Sequence, residues 1–169
     1  LPMPFPDATR GGTPAYDLYI DPDARAPLTV PDPETEPRTT DAAAAYTFVP
    51  VPSTWGSDVA FDVAQEAARA LVFRFDAGAE RGMVAAAASY LASIVAPCAA
   101  RETPAIDAFQ AAPYRAITDD ADTPASGAML FPMYLEENEG AGDPGRLLLS
   151  LFAIASQKSD PASPRYQNE

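Results

Sequence analysis

Histidine is missing altogether from this 169-residue chain, and that absence removes several chemistries at once. Without imidazole there is no usual base for a serine or cysteine nucleophile, and no neutral nitrogen ligand for a transition metal. Cysteine occurs once, at Cys98, so no internal disulfide can form. Its expected role is that of a small buried apolar residue, with an intermolecular bridge or a reactive thiol as alternatives. Positive charge is scarce: 11 Lys and Arg against 24 Asp and Glu give a formal net charge of −13 and a pI near 4.2. Such a chain lacks the basic face that nucleic acid demands, and anionic membrane surfaces repel it. A basic partner or a counter-ion such as calcium would suit it better. No apolar run reaches the roughly 20 residues of a membrane span. There is no Gly-x-Ser-x-Gly elbow, and Arg10-Gly11-Gly12 lacks the lysine and hydroxyl of a phosphate loop, so it reads as a turn.

Proline, by contrast, is abundant and unevenly placed: eleven of the nineteen fall within the first 52 residues. Each one inside a helix would remove a donor and clash with the preceding turn, so this portion is not mainly helical. Ala15 to Ile20 alternates sides and reads as a strand, and Ala45 to Val49 as a second one closed by Pro50 and Pro52. Between them, Asp21 to Asp41 is rich in Pro, Asp, Glu and Thr and is predicted to form an extended surface arm. From Ser57 the period changes. Ser57 or Asp58 can cap a helix whose apolar stripe runs through Val59, Val63, Ala67, Ala70 and Leu71 to about Phe75. Met83, Ala87, Leu91 and Ile94 form a second stripe that ends before Pro97. Ala125 to Glu139 is predicted to start or kink at Pro132, and Arg146 to Gln157 is a strongly apolar helix. The tail 159–169 is polar. These signals predict an α+β protein: an N-terminal arm over 1–44 with one strand, then a domain over 45–158 that is mostly helical.

Between Trp55 and Pro97 the residues Gln65-Glu66-Ala67-Ala68-Arg69 occupy a spacing where His-Glu-x-x-His would stand in a zinc protease. One helix later, Ala85 to Tyr90 aligns with a Glu-Gly-x-Ala-x-aromatic pattern, with Ala88 and Tyr90 matching. Ile94 to Pro97 and the apolar Ala128 to Glu137 stretch follow in the same order. In these respects the chain resembles bacterial secreted metallopeptidases of the gluzincin type. The resemblance implies a zincin-like helical domain and a secreted, periplasmic or cell-surface location. It also implies that Gln65 and Arg69 stand at the two histidine positions, and Ala85 at the third zinc ligand. Arg69 is a permanent cation and repels a dication. A catalytic zinc site normally keeps three protein ligands and one open position. Without the metal, no water is acidified from pKa ~15.7 toward ~7, and Glu66 has no activated nucleophile to deprotonate. Peptidase activity is therefore expected to be absent, with no cofactor and no metal held. Glu66 and Arg69 share a helix face and are expected to pair, filling the former cleft. Removing the arginine would then cost ~3 kcal/mol or more, against about 0.3–0.5 kcal/mol for an exposed pair.

Other candidate sites carry less. Asp119-Asp120-Ala121-Asp122 and Asp21-Pro22-Asp23 are dense in carboxylates but lack the EF-hand spacing, so solvated loops are expected. Glu136, Glu137 and Glu139 crowd one helix end, whereas glycosidases oppose two carboxylates across a cleft. Trp55, Phe61, Phe73, Phe75, Tyr114, Phe131 and Tyr134 are expected to be mainly core residues. The opening Leu1-Pro2-Met3, without an initiator methionine, fits a processed secreted protein or a piece of a longer one. Two functions compete. One is a catalytically inactive zincin-like protein that binds a protein partner or builds an oligomer, its proline-rich arm wrapping a neighbour. The other is a hydrolase using Glu66 in a metal-free cleft or a metal site rebuilt from carboxylates.

Overall fold

The computed structural model describes residues 15–31, 43–112, 114, 117, 125–140 and 142–157. Arg10-Gly11-Gly12, Asp119 to Asp122 and the polar tail 159–169 lie outside these residues.

Three short strands, β1 (Leu18–Ile20), β2 (Leu28–Pro31) and β3 (Ala45–Val49), form one sheet in the order β1-β3-β2. β1 runs parallel to β3, with Leu18 opposite Thr47, and β2 runs antiparallel to it, with Thr29 opposite Thr47. β2 lies inside the stretch predicted to be a surface arm, so the described part of the 1–44 segment carries two strands where one was expected. Its four residues sit beside Pro27 and include Pro31, and too few alternating positions remain to give a period-2 signal. Alternation is clean on β3: Ala45, Thr47 and Val49 are buried on the helix side. Tyr46 and Phe48 face the other way, and both lie within 6 Å of Tyr19 by ring centroid, at 5.8 and 5.9 Å.

The helical part begins with α1 (Val59–Asp76) and α2 (Arg81–Val95), both close to their predicted spans. Asp58 stands at the N-cap of α1 without a capping hydrogen bond from its side chain. It accepts instead from the Ser57 hydroxyl at 2.7 Å and pairs with Arg101. α1 packs across β2 and β3 on one side and along α2 on the other. Ala68 and Ala70 meet a partner whose buried face includes Ala86, Ala87, Ala88 and Ala92. Small side chains let two helix axes approach closely, and Leu71, Val72 and Leu91 fill the remaining space.

α3 (Ala99–Gln110) was not legible beforehand. Pro104 sits inside it, and none of its residues is fully buried, so both the breaker signal and the weak apolar stripe hid it. A 3-10 turn, Ala125–Met129, brings the chain back between α2 and α3, and α4 (Leu130–Glu139) follows with Pro132 in its first turn. A proline there has no intrahelical bond to lose. α5 (Arg146–Gln157) matches its predicted bounds. Leu148, Leu149 and Phe152 join the core cluster. The α5 N-terminus is satisfied by Glu136, whose Oε1 accepts the Leu148 N–H at 2.9 Å. This carboxylate, considered above for sugar chemistry, is thus a helix cap. Among the aromatics expected in the core, Phe61 and Phe73 are buried and Phe75 partly so. Trp55, Phe131, Tyr134 and Tyr114 are exposed, the last at 83%. No described helix is long and apolar enough to cross a membrane.

Candidate functional site

Glu66 lies in the middle of α1, on the face packed against β2. An edge strand such as β2 leaves alternate backbone N–H groups without a ladder partner. The Thr29 N–H finds one in Glu66 Oε2 at 2.7 Å, and Glu66 keeps only 8% of its exposure. The same threonine also donates its hydroxyl to the Glu66 backbone carbonyl at 2.9 Å. A hydroxyl carries one proton. In the 2.6 Å contact between the two threonine hydroxyls, Thr47 is therefore the donor to Thr29. By the same argument Tyr16 donates to Thr47 in their 2.8 Å contact. A directed relay thus runs from Tyr16 through Thr47 and Thr29 to the main chain of α1. Burial pushes the Tyr16 phenol up to about 12, and the Glu66 charge adds to it.

Arg69 pairs with Glu66 as the spacing predicted, its Nε lying 3.3 Å from Oε1 and 3.2 Å from Oε2. Neither residue lines the pocket beside Gln65. The physical reason is the edge of β2: an unpaired backbone donor and a guanidinium both draw the carboxylate to the sheet side of the helix.

Gln65, one residue earlier, is rotated about 100° around α1 and faces α2. Its Nε2 donates to Ser89 Oγ at 2.7 Å, and Ser89 Oγ donates to the Ala85 carbonyl at 2.9 Å. Two of the three positions singled out for lost ligands are therefore tied together by a serine that sequence reasoning passed over. Ser89 stands one helical turn after Ala85, and that i, i+4 spacing was the available signal. Ala85 contributes only main chain to the contact. Tyr90, the matched aromatic, is buried in the core. Its phenol is raised by burial first and by the Glu136 charge second, with the Gly145 backbone opposing.

A pocket of about 240 Å³ opens beside this junction, lined among others by Phe61, Asp62, Gln65, Ser89, Arg101 and Met129. Arg101 reaches across from α3: its Nη2 lies 2.6 Å from Asp62 Oδ2 and its Nε 3.5 Å from Asp58 Oδ2. Those bonds raise the guanidinium above its ordinary value, the Asp62 hydrogen bond most. Asp62, Arg101, Thr29, Thr47 and Tyr16 were also missed from sequence. Their partners lie up to 39 residues away, beyond any local pattern.

The remaining candidates resolve separately. Asp21 Oδ1 accepts the Asp23 N–H at 2.9 Å, forming a side-chain turn. Cys98 is half-buried, not fully enclosed as expected, because it precedes the exposed helix α3. Its N–H donates to Glu102 Oε1 at 2.9 Å. Among the described residues no three His, Cys, Asp or Glu side chains converge as a cation site requires. Chemically, then, the Glu66 side is a closed hydrogen-bonded joint between sheet and helix, and the Gln65 side is an open polar pocket. No protein-family model, curated protein or solved structure matches this chain significantly.

Proposed function

We propose that this chain is a catalytically inactive, zincin-like protein that serves outside the cytoplasm as a binding or structural subunit of a protein assembly. The observation that carries the reading is the engagement of Glu66. A general base must reach a reacting proton, whereas this carboxylate is buried, accepts a backbone N–H at 2.7 Å and is paired with Arg69. An amide, a guanidinium and a methyl group stand at Gln65, Arg69 and Ala85, where the resemblance would place zinc ligands. Exposed apolar side chains favour a role in assembly. Phe131 and Leu151 line an apolar groove of about 280 Å³ between the start of α2 and α5. Contiguous apolar surface of this kind marks interaction sites more often than catalytic ones.

Two measurements on the purified chain test the proposal. Metal analysis after equilibration with zinc is expected to return far less than one ion per chain, with no turnover across a broad peptide mixture. Sedimentation of native material is expected to place the chain in a complex or oligomer. Stoichiometric zinc together with hydrolysis abolished by Glu66→Gln would replace this reading with the hydrolase one.

A further inference from the structure

Trp55 is the chain's single tryptophan, and core packing does not account for its place. Between β3 and α1 its indole N–H donates to the Pro50 carbonyl at 2.9 Å, which fixes the ring, yet 44% of the residue stays exposed. A ring already held in place loses little freedom when a ligand covers it. It borders a cavity of about 240 Å³ where the β1–β2 connection meets the start of α1. The charged residues of that lining are Arg25, Asp58, Asp62 and Arg101, two of each sign. The cavity is therefore locally neutral within a chain of net charge −13, and an ionic ligand of either sign gains little there. Donors and acceptors stand side by side. Arg101 Nη2 lies 2.6 Å from Asp62 Oδ2 and its Nε 3.5 Å from Asp58 Oδ2, which gathers the three groups. A guanidinium carries five N–H groups, so Arg101 keeps donors beyond these contacts, and both carboxylates keep lone pairs. Among the described residues no acidic side chain pairs with Arg25. The cavity thus combines an exposed aromatic ring, a rim of both donors and acceptors, and no net charge. A pyranose matches all of these, because its C–H face is apolar and its hydroxyls both give and accept hydrogen bonds. A purely apolar ring would leave the rim unpaired, and an open-chain polyol has no flat face to lay on the indole. A space of about 240 Å³ corresponds to about eight waters at ~30 Å³ each, room for one such ring.

We propose that this cavity binds a saccharide, with one pyranose unit lying against Trp55 and its hydroxyls bridging the arginines and aspartates of the rim. The site stands on this geometry and does not depend on the subunit reading.

Because the chain has one indole, the tryptophan fluorescence of the full protein reports this cavity alone. The probes are methyl β-glucopyranoside, methyl β-galactopyranoside, methyl α-mannopyranoside and N-acetylglucosamine, with glucitol and cyclohexanol as controls. At least one pyranose is expected to shift the emission saturably with a Kd on the order of 1 mM. Glucitol, which lacks the ring face, and cyclohexanol, which lacks the hydroxyl rim, are expected to bind at least about tenfold more weakly. Amide NMR titrations with the responding pyranose extend the test to variants. Arg25→Gln is expected to weaken binding about tenfold with Tm unchanged, because an exposed side chain loses only its charge-assisted hydrogen bond to the ligand. Trp55→Phe, which keeps a ring, is expected to bind severalfold more tightly than Trp55→Ala; where Trp55→Ala fails to fold, Arg25→Gln decides. No emission change with any pyranose up to about tenfold above that Kd, equal binding of either control, or an unaffected Arg25→Gln variant would overturn the proposal. Failure here leaves the subunit reading standing, because sedimentation tests that independently.

Discussion

Glu66 Oε2 accepts from Thr29 across 37 residues of sequence, and Arg69 approaches the same carboxylate from the next turn. The two partners are not equivalent. Arg69 is about a quarter exposed, with its side chain at 24%, so water replaces much of what its removal takes away. The Thr29 N–H is enclosed and has no second acceptor to turn to. Arg69→Ala is therefore expected to cost about 1 kcal/mol rather than the ~3 kcal/mol anticipated from sequence. Glu66→Ala strands a backbone donor and a guanidinium together and is expected to cost about 3 kcal/mol. Urea unfolding of both variants decides the order, and an equal cost would mean that Arg69 and Thr29 hold Glu66 equally. Tyr16 supplies a pH-dependent counterpart. Its folded pKa is raised from 10.0 to about 12, so its contribution is fully present below pH 10 and is lost as pH rises toward 12. The wild-type Tm is expected to fall across that window, and Tyr16→Phe to flatten the fall while costing about 1 kcal/mol at neutral pH. Tyr90, shifted in the same direction, leaves a residual slope.

Among the elements, the 3-10 turn at Ala125–Met129 shows how a short connection positions a helix that has no buried face of its own. A Cβ added at Gly127 would collide with the Ala105 carbonyl and lie 2.7 Å from Phe109 Cβ. α3 is thus seated on the main chain of the turn, and only glycine leaves it that room. Gly127→Ala is expected to push α3 outward and to cost about 2 kcal/mol, read as a lowered denaturation midpoint. Displacement of Arg101 from Asp62 should accompany it, visible as shifted α3 amides. Helix legibility followed the same logic of burial. α5 carries a continuous apolar face and was readable to its ends, whereas α3 buries nothing completely and contains Pro104. The readable helices were those whose packing imprints a 3.6-residue period on the chain.

For the whole molecule, the charge of −13 acts on stability as well as on partners. Self-repulsion among unscreened carboxylates opposes the compact state. Raising salt from about 0.05 to about 0.5 M contracts the Debye length from roughly 14 to roughly 4 Å and is expected to raise Tm by about 2–4 °C, the equivalent of about 1 kcal/mol. A thermal scan at the two salts checks this, and a fall in Tm would mean that ion pairs such as Arg101–Asp62 outweigh the repulsion. The fold directs that acidity unevenly. One side of α1 is sealed by the sheet, and the other opens between α2 and α3, where Asp58 and Asp62 pair with Arg101.

From composition and period alone, the chain already ruled out imidazole chemistry, set the sign of its charge, and marked α1, α2, α4 and α5, because these are counts or local repeats along the backbone. Tertiary structure alone decided that Leu28–Pro31 is a strand, that Glu66 turns to the sheet, and that Gln65 turns to Ser89. Each depends on partners brought together from 14 to 37 residues away. The side of a helix that a carboxylate chooses is set by which unpaired donor the rest of the fold places within reach.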